Sequence, residues 1–451
     1  MSDREPVKAL LTDLYQLTMD AAYIDNDMAD EIATFEMFVR SMPKDWGYFV
    51  AAGIDEAIDY ICNLRFSKED IEYLKELGLF KTEFLEYLSL FKFQGDIKAI
   101  REGTPFTAET PIISVTAKRP QAQLIETILL NIVNFQTMIA SKASRVVNAA
   151  GKAAVIDFGL RRAQGSDAGI KGARSTYIAG VIATSNVEAA KIYDIPASGT
   201  MAHSFVMGFQ DEIDSFRAFA KTFPESTVLL IDTYDIIEGA RKAVIVAKEM
   251  EKQGQRLLGV RLDSGAMENL AQEVRKILDE ADLDYVKIVL SSDLNEYKID
   301  NYTKEGTPVD AYGVGTEMIT AKPVAALSGV YKLVEDNLGP RIKLSEDKRT
   351  YPGIKQVYRI EDQDGEYLYD VLELEGKQQE GTPLLEEAVK DGKKMQVPQT
   401  LKEIREYSLS CVSKLPITVK QVYVTEPYKL KIGPELVQET MELVARYSKE
   451  K

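Results

Sequence analysis

LLGVRLDSGAMENLAQEVRKILDEA, residues 257–281, decides the fold. Its opening LLGVRL is apolar except for Arg261 and does not alternate with polar residues, as expected of a strand buried on both faces. Asp263, Ser264 and Gly265 then supply turn chemistry. Beyond the turn, Leu270, Val274, Ile277 and Ala281 recur every three to four residues, the spacing of one apolar helix face. Strand, turn and helix together make one β/α unit, and parallel strands require such a crossover.

The same unit recurs on both sides. AAVIDFG (153–159) precedes a helical pattern near 172–192, and TVLLIDTYD (227–235) precedes IIEGARKAVIVAKEM (236–250). YVKIVLSSD (285–293) precedes LNEYKIDNYTKEG (294–306), and VDAYGVGTEM (309–318) follows. So many successive units favour an α/β barrel over an open sheet. Upstream the texture is mixed. ALLTDLYQLTMDAAYID (9–25) predicts a helix with Leu10, Leu14, Leu17 and Ala21 on one face. EIATFEMFVR (31–40) alternates, which predicts a half-buried strand. IDEAIDYICNL (54–64) predicts a second amphipathic helix. FSKEDIEYLKEL (66–77) predicts a third, with Ser67 as N-cap and Asp70 completing a near capping box. GDIKAIREGTPFTAETPIISVTA (95–117) predicts a compact β unit. After residue 331 the β/α alternation stops. Antiparallel strands with turns at NLGP and DQDG are expected, then a final amphipathic helix in KIGPELVQETMELVARYSK. The expected organisation is an N-terminal α+β domain (1–135) completed by C-terminal segments, a barrel (136–330), and a mixed β/α region (331–451).

Bulk properties exclude several classes. The formal charge of −16 argues against a general nucleic-acid binder, because the phosphate backbone would be repelled. No apolar run approaches the ~18–20 residues that span a bilayer, and MSDREPVKAL lacks a leader's apolar core. Two distant cysteines, Cys62 and Cys411, make no disulfide framework or zinc cluster, so a reducing cytoplasm is expected.

Ligands of parallel β/α folds sit at the C-terminal strand ends. Those ends read Asp157-Phe158-Gly159-Leu160-Arg161-Arg162, His203-Ser204, Asp232-Thr233-Tyr234-Asp235, Arg261-Leu262-Asp263-Ser264-Gly265, Ser291-Ser292-Asp293 and Gly313-Val314-Gly315-Thr316. Carboxylates, arginines and small residues gathered at one edge suit a phosphorylated substrate with Mg²⁺. Each feature has a plainer reading. Asp293 is equally a helix N-cap, GVGT a turn, RLDSG a salt bridge and turn, and the sole histidine a buried structural residue. Their joint occurrence at successive strand ends carries the argument.

The strand ends also carry a resemblance. TDLYQLTM (12–19), FGLRRAQG (158–165), TSNV (184–187), GTMAHSFV (199–206), DTYD (232–235), RLDSG (261–265) and GVGT (313–316) occur in the order found in nicotinate phosphoribosyltransferases. The chain resembles that family through most of its length, most thinly beyond 331. The resemblance implies a type II phosphoribosyltransferase fold: an irregular α/β barrel, an N-terminal α+β domain and a C-terminal mixed extension. It also implies that nicotinate and 5-phosphoribosyl-1-pyrophosphate (PRPP) become nicotinate mononucleotide and pyrophosphate, with coupled ATP hydrolysis. On this resemblance Phe158 and Tyr15, the latter from a partner subunit, sandwich nicotinate, which implies a homodimer with shared sites. Arg161, with Arg162 nearby, clamps the carboxylate or pyrophosphate. Ser185 stands where nicotinamide enzymes carry Asp, which would repel a carboxylate. His203 takes the phosphoryl group of ATP, with Gly199, Thr200 and Ser204 near phosphate, and Arg261 and Asp263 complete the catalytic set. Asp232, Asp235 and Asp263 are candidates for Mg²⁺, through water, and ribose. Ser292, Gly313, Gly315 and Thr316 are candidates for the 5′-phosphate. Lys142 and Arg145 share a helix face and are read as solvated or phosphate-binding. Asp157 departs from the Glu of many relatives. A nicotinamide or quinolinate phosphoribosyltransferase, another phosphate-binding barrel enzyme, or an inactive binding protein are the competing readings.

Overall fold

The computed structural model describes residues 8–344, 350–395 and 397–449. Most of the N-terminal stretch read for a leader therefore lies outside the described residues. The chain divides into two compact units, one of Met1–Met138 with Ala326–Lys451 and one of Ile139–Ala325.

The first unit holds a seven-stranded antiparallel sheet drawn from both ends of the chain. Its order is Gly339–Pro340, Gly329–Asp336, Ile32–Val39, Ile113–Lys118, Asp96–Ile100, Leu385–Lys390 and Lys393–Lys394. The alternation in Ile32–Val39 predicted one wet face, yet the strand is buried from Ala33 to Val39. Its polar residues are satisfied internally instead. Glu36 accepts the Lys355 backbone N–H at 3.0 Å and lies 2.9 Å from the buried Lys355 ammonium. The first helix, Leu14–Asp25, also departs from its pattern: Leu14 is exposed, while Gln16, Leu17 and Asp20 face inward. The Ser67–Asp70 capping box forms as the sequence predicts. DQDG turns the chain between Lys355–Glu361 and Tyr367–Leu374, and helix Pro434–Lys449 places Leu436 in a small core with Val357 and Leu372.

Among the described residues one helical run, Arg119–Ala150, is long and apolar enough to cross a membrane, and most of its most apolar window is buried. Its apolar residues are interspersed with Gln, Asn, Ser and Thr, so it reaches that composition without any continuous apolar run of membrane-spanning length.

The second unit is built on a six-stranded, all-parallel sheet. Its order is Ala183–Thr184, Ala154–Asp157, Ala311–Val314, Lys287–Ser291, Gly259–Leu262 and Val228–Leu230. The last strand in sequence pairs with the first, as in a closed barrel, while Ala183–Thr184 and Val228–Leu230 stay at opposite edges. The result is a half-barrel open at that seam. Helix Ile236–Glu251 packs tightly on the sheet. A methyl at Gly239 would meet the Ile231 carbonyl oxygen at 2.1 Å, so no larger residue fits. Helix Met267–Glu280 buries Met267, Ala271, Val274 and Leu278. This face is offset by about one residue from the one predicted, leaving Leu270 and Ile277 at its margin. Full burial of each large apolar side chain there contributes ~1.5–3 kcal/mol, so Val274→Asp would detach the helix. The pattern expected near 172–192 resolves into two helices, Ser166–Ile178 and Val187–Tyr193, separated by the short strand Ala183–Thr184.

Candidate active site

The open seam is where the histidine segment lies. Residues 196–198 run alongside the Ala183–Thr184 edge: Thr184 N–H donates to the Pro196 carbonyl at 3.0 Å and Ser198 N–H to the Thr184 carbonyl at 2.9 Å. The chain then turns, and His203 opens the short helix His203–Met207. Its Nδ1 shares a 3.1 Å hydrogen bond with Thr233 Oγ1, and its Nε2 lies 3.8 Å from Asp263 Oδ2. The side chain is 40% exposed, so it is not a buried structural histidine.

Arg261 reaches toward the same segment from strand Gly259–Leu262, donating from Nη1 to Thr200 Oγ1 at 2.8 Å. Its guanidinium carbon stands 6.0 Å from the Phe158 ring centroid, within cation–π range. Burial pulls its pKa below the usual arginine value; Asp263 and Asp232 oppose that effect and nearby Arg161 adds to it. Arg261 Nε is buried without a hydrogen-bond partner.

Asp232 and Asp263 lie side by side. Asp232 Oδ2 accepts from the Asp263 N–H at 3.0 Å and from Ser264 Oγ at 2.7 Å, while its Oδ1 is buried and has no partner. Asp263 Oδ1 takes a hydrogen bond from Ser291 Oγ. Thr233, Ser264 and Ser291 thus orient the histidine and both carboxylates. Sequence reasoning quoted all three within motifs but gave them no role. Their signal was position, directly beside a predicted site residue at a strand end.

Phe158 and Ser185 share one rim. Asp157 Oδ1 accepts the Gly159 N–H at 2.8 Å, its Oδ2 accepts Thr184 Oγ1 at 2.7 Å, and its carbonyl accepts the Ser185 N–H at 2.8 Å. Burial raises the Asp157 pKa against these two side-chain hydrogen bonds. Arg161 and Arg162 follow in an exposed 3₁₀ turn, Leu160–Arg162.

Other predicted residues are placed as follows. Gly313 makes room for an aromatic ring: a methyl there would meet Phe158 Cε2 at 2.5 Å and Cδ2 at 2.6 Å. Gly315 precedes the four-residue helix Thr316–Ile319, with Thr316 at its first position. Ser292 and Asp293 both have positive φ, 88° and 39°, and the loop exposes them. Asp293 does not cap the next helix; Asn295 does, accepting the Lys298 N–H at 3.0 Å. Asp235 is exposed and caps helix Ile236–Glu251 by accepting the Glu238 N–H at 2.9 Å, a helix-capping role apart from the Asp232–Asp263 pair. Thr200 is partly buried and Ser204 exposed beside the histidine. Lys142 and Arg145 are neither solvated nor open to phosphate. Both are buried against Glu296, and Arg145 Nε donates to it at 3.1 Å. Tyr15 lies in the other compact unit, half exposed on helix Leu14–Asp25. Among the described residues no three His, Cys, Asp or Glu side chains converge as a metal cage.

Comparison with known proteins places the chain in a family. The Nicotinate phosphoribosyltransferase (NAPRTase) family matches residues 153–339, its N-terminal domain residues 10–134, and its C-terminal domain residues 376–440. A nicotinate phosphoribosyltransferase of Mycobacterium tuberculosis is 39% identical over 445 residues, covering 98% of this chain and 95% of that protein. One from Bacillus subtilis is 42% identical over 379 residues, covering 80% and 76%. The crystal structure of human nicotinic acid phosphoribosyltransferase superposes with a TM-score of 0.85 at 27% identity, over 96% of this chain and 100% of that one. With all three family domains matched in order and relatives aligned along nearly the whole length, the chain belongs to the nicotinate phosphoribosyltransferase family.

Proposed function

We propose that this chain transfers the phosphoribosyl group of PRPP to the ring nitrogen of nicotinate, the entry step from nicotinate to pyridine nucleotides. The observation that carries this reading is the placement of Arg261. Its guanidinium joins an aromatic face, Phe158 at 6.0 Å, to the histidine segment at Thr200, 2.8 Å away. A flat acid on Phe158 thereby lies next to a cluster built for phosphate. The nicotinate nitrogen attacks C1 of the ribose, the C1–oxygen bond breaks, and its electron pair leaves with pyrophosphate. Arg161 and Ser185 hold the carboxylate, and the loop at Ser292 with Gly315 and Thr316 holds the 5′-phosphate. Prepaid orientation of two bound reactants is worth ~7–11 kcal/mol of barrier.

His203 is proposed to accept the γ-phosphoryl group of ATP, releasing ADP; hydrolysis of the phosphoramidate later returns phosphate. Thr233 fixes the imidazole, and Ser204 lies beside it for phosphate contact. The partnerless Asp232 Oδ1 beside Asp263 presents hard oxygen donors that fit Mg²⁺. Asp232 and Asp263 would hold the ion together with pyrophosphate oxygens. When bound, the ion supplies charge neutralisation at the leaving group. Half-exposed Tyr15 is proposed to cover nicotinate in a partner subunit, making the working form a homodimer. Free Cys62 and Cys411 accord with a reducing compartment, and cytoplasm is the proposed setting.

The test incubates the purified chain with PRPP, Mg²⁺ and nicotinate, nicotinamide or quinolinate, with and without ATP. Nicotinate mononucleotide should be the dominant product, and ATP should accelerate its formation. Equal turnover of nicotinamide would overturn the substrate reading.

A further inference from the structure

The residue that ties the nicotinate rim together is Asp157. Its side chain is almost wholly buried at the end of strand Ala154–Asp157. Both neighbouring strands are in register with it, Thr184 on one side and Val314 on the other. Each carboxylate oxygen accepts one hydrogen bond, and each bond fixes a different loop. Oδ1 takes the Gly159 N–H and so sets the start of the turn carrying Arg161. Oδ2 takes the Thr184 hydroxyl, whose oxygen in turn accepts the Asn186 N–H at 3.0 Å. Asn186 caps the next helix through the Ala189 N–H at 3.1 Å. Ser185 is thus held on both sides, by Thr184 and Asn186, with its own N–H on the Asp157 carbonyl.

We propose that Asp157 is a positioning residue. It sets the spacing between the Phe158–Arg161 turn and Ser185, and through that spacing the preference for a pyridine bearing a carboxylate over one bearing an amide. This rests on the nicotinate reading above. Asp157 does not touch the substrate; it acts through Gly159 and Thr184.

The decisive variants are Asp157→Asn and Thr184→Val, with Thr184→Ser as the conservative rescue. In Asp157→Asn the new amide can accept from Gly159 but must donate toward Thr184, reversing one of the two bonds. Thr184→Val removes the hydroxyl at nearly constant shape and leaves Asp157 Oδ2 and the Asn186 N–H unpaired. Each should raise the nicotinate KM about tenfold, roughly what one hydrogen bond to a charged group is worth. Each should also lower the nicotinate-to-nicotinamide ratio of kcat/KM by a similar factor. The PRPP KM and the ATP stimulation should stay within about twofold, because Asp232 and Asp263 hang on other strands and the His203 segment is tied to Thr184 through its backbone N–H and carbonyl, not its hydroxyl. The double variant should cost no more than the worse single one, as expected of residues acting as a unit, and Thr184→Ser should behave as wild type. Nicotinate and PRPP KM values rising together would mean simple loosening of the fold and would overturn the proposal. So would an unchanged substrate ratio in Thr184→Val, which decides the matter alone if Asp157→Asn does not fold. A wild-type chain with no nicotinate transfer refutes the function; an active wild type with unmoved variants refutes only the role of Asp157.

Discussion

Gly313→Ala separates two roles for one glycine. From the sequence, Gly313 is a candidate for the 5′-phosphate; in the structure it makes room for the Phe158 ring. An added methyl would lie 2.5 and 2.6 Å from two ring carbons and 3.3 Å from Ser291 Cβ. Ordinary carbon contacts are ~3.5–4.0 Å, so the ring must retreat by about 1 Å. The backbone has little freedom to follow, because Phe158 N–H is bonded to the Val314 carbonyl at 2.9 Å. Relief therefore comes from ring rotation, away from the face offered to nicotinate. Losing a stacked aromatic contact costs ~0.5–1.5 kcal/mol, and misplacing a reactant by ~1 Å costs up to ~100-fold in rate. The expected result is a fall of about 10- to 100-fold in kcat/KM for nicotinate, with PRPP KM little changed. Overpacking should lower stability by ~1–3 kcal/mol, which leaves the protein folded. Steady-state kinetics with nicotinate varied at saturating PRPP reads this directly. The same change made on Phe158→Ala should cost nothing further, since the obstructing ring is gone. A rise confined to PRPP KM, or an equal loss in both backgrounds, would refute the packing argument and restore the phosphate role.

Three other outcomes follow from the geometry. His203→Asn should keep a weak transfer at high PRPP and lose all ATP stimulation; intact stimulation in a coupled ATP assay would remove His203 from the mechanism. Asp20 is fully buried with neither carboxylate oxygen bonded, and burial raises its pKa well above the ordinary value. A raised folded pKa means its protonated form suits the fold, so its contribution is intact below ~pH 4 and is lost as pH climbs through the folded value. Asp20→Asn should therefore unfold at a higher temperature than wild type at neutral pH, with the gap closing toward ~pH 4; a gap independent of pH would contradict this. Glu296→Gln leaves buried Lys142 and Arg145 without their shared carboxylate and should destabilise the barrel unit by ~3–5 kcal/mol in urea unfolding.

The sequence made the parallel β/α core legible, though not the open seam between Ala183–Thr184 and Val228–Leu230, because strands buried on both faces read as continuous Val, Ile and Leu runs, and each ends in turn residues that also belong to the site. It misread faces where polar residues turn inward. In Leu14–Asp25 the buried face carries Gln16 and Asp20, and Gln16 is satisfied by Glu126 at 2.9 Å and by Gln123 at 2.6 Å. Hydrophobic period alone sees no reason to bury them, since the partners of Gln16 lie 110 and 107 residues away. Lys142 and Arg145 fail for the same reason: a shared helix face was visible, but the carboxylate that buries them, Glu296, was not. The candidate site was legible as a set of strand ends, yet not as a set of distances. That a histidine at the seam meets Thr233 and Asp263 depends on how the 196–206 segment crosses the open edge, and that Asp157 clamps two loops depends on the pairing of its strand with Ala183–Thr184. This segment has no period of its own, so its path is set by tertiary contacts such as Thr200 to Arg261. The functional consequence is specific. The residue proposed to carry phosphate sits on a segment at the open seam, where a phosphoryl group on His203 would act first on its contacts with Thr233 and Asp263.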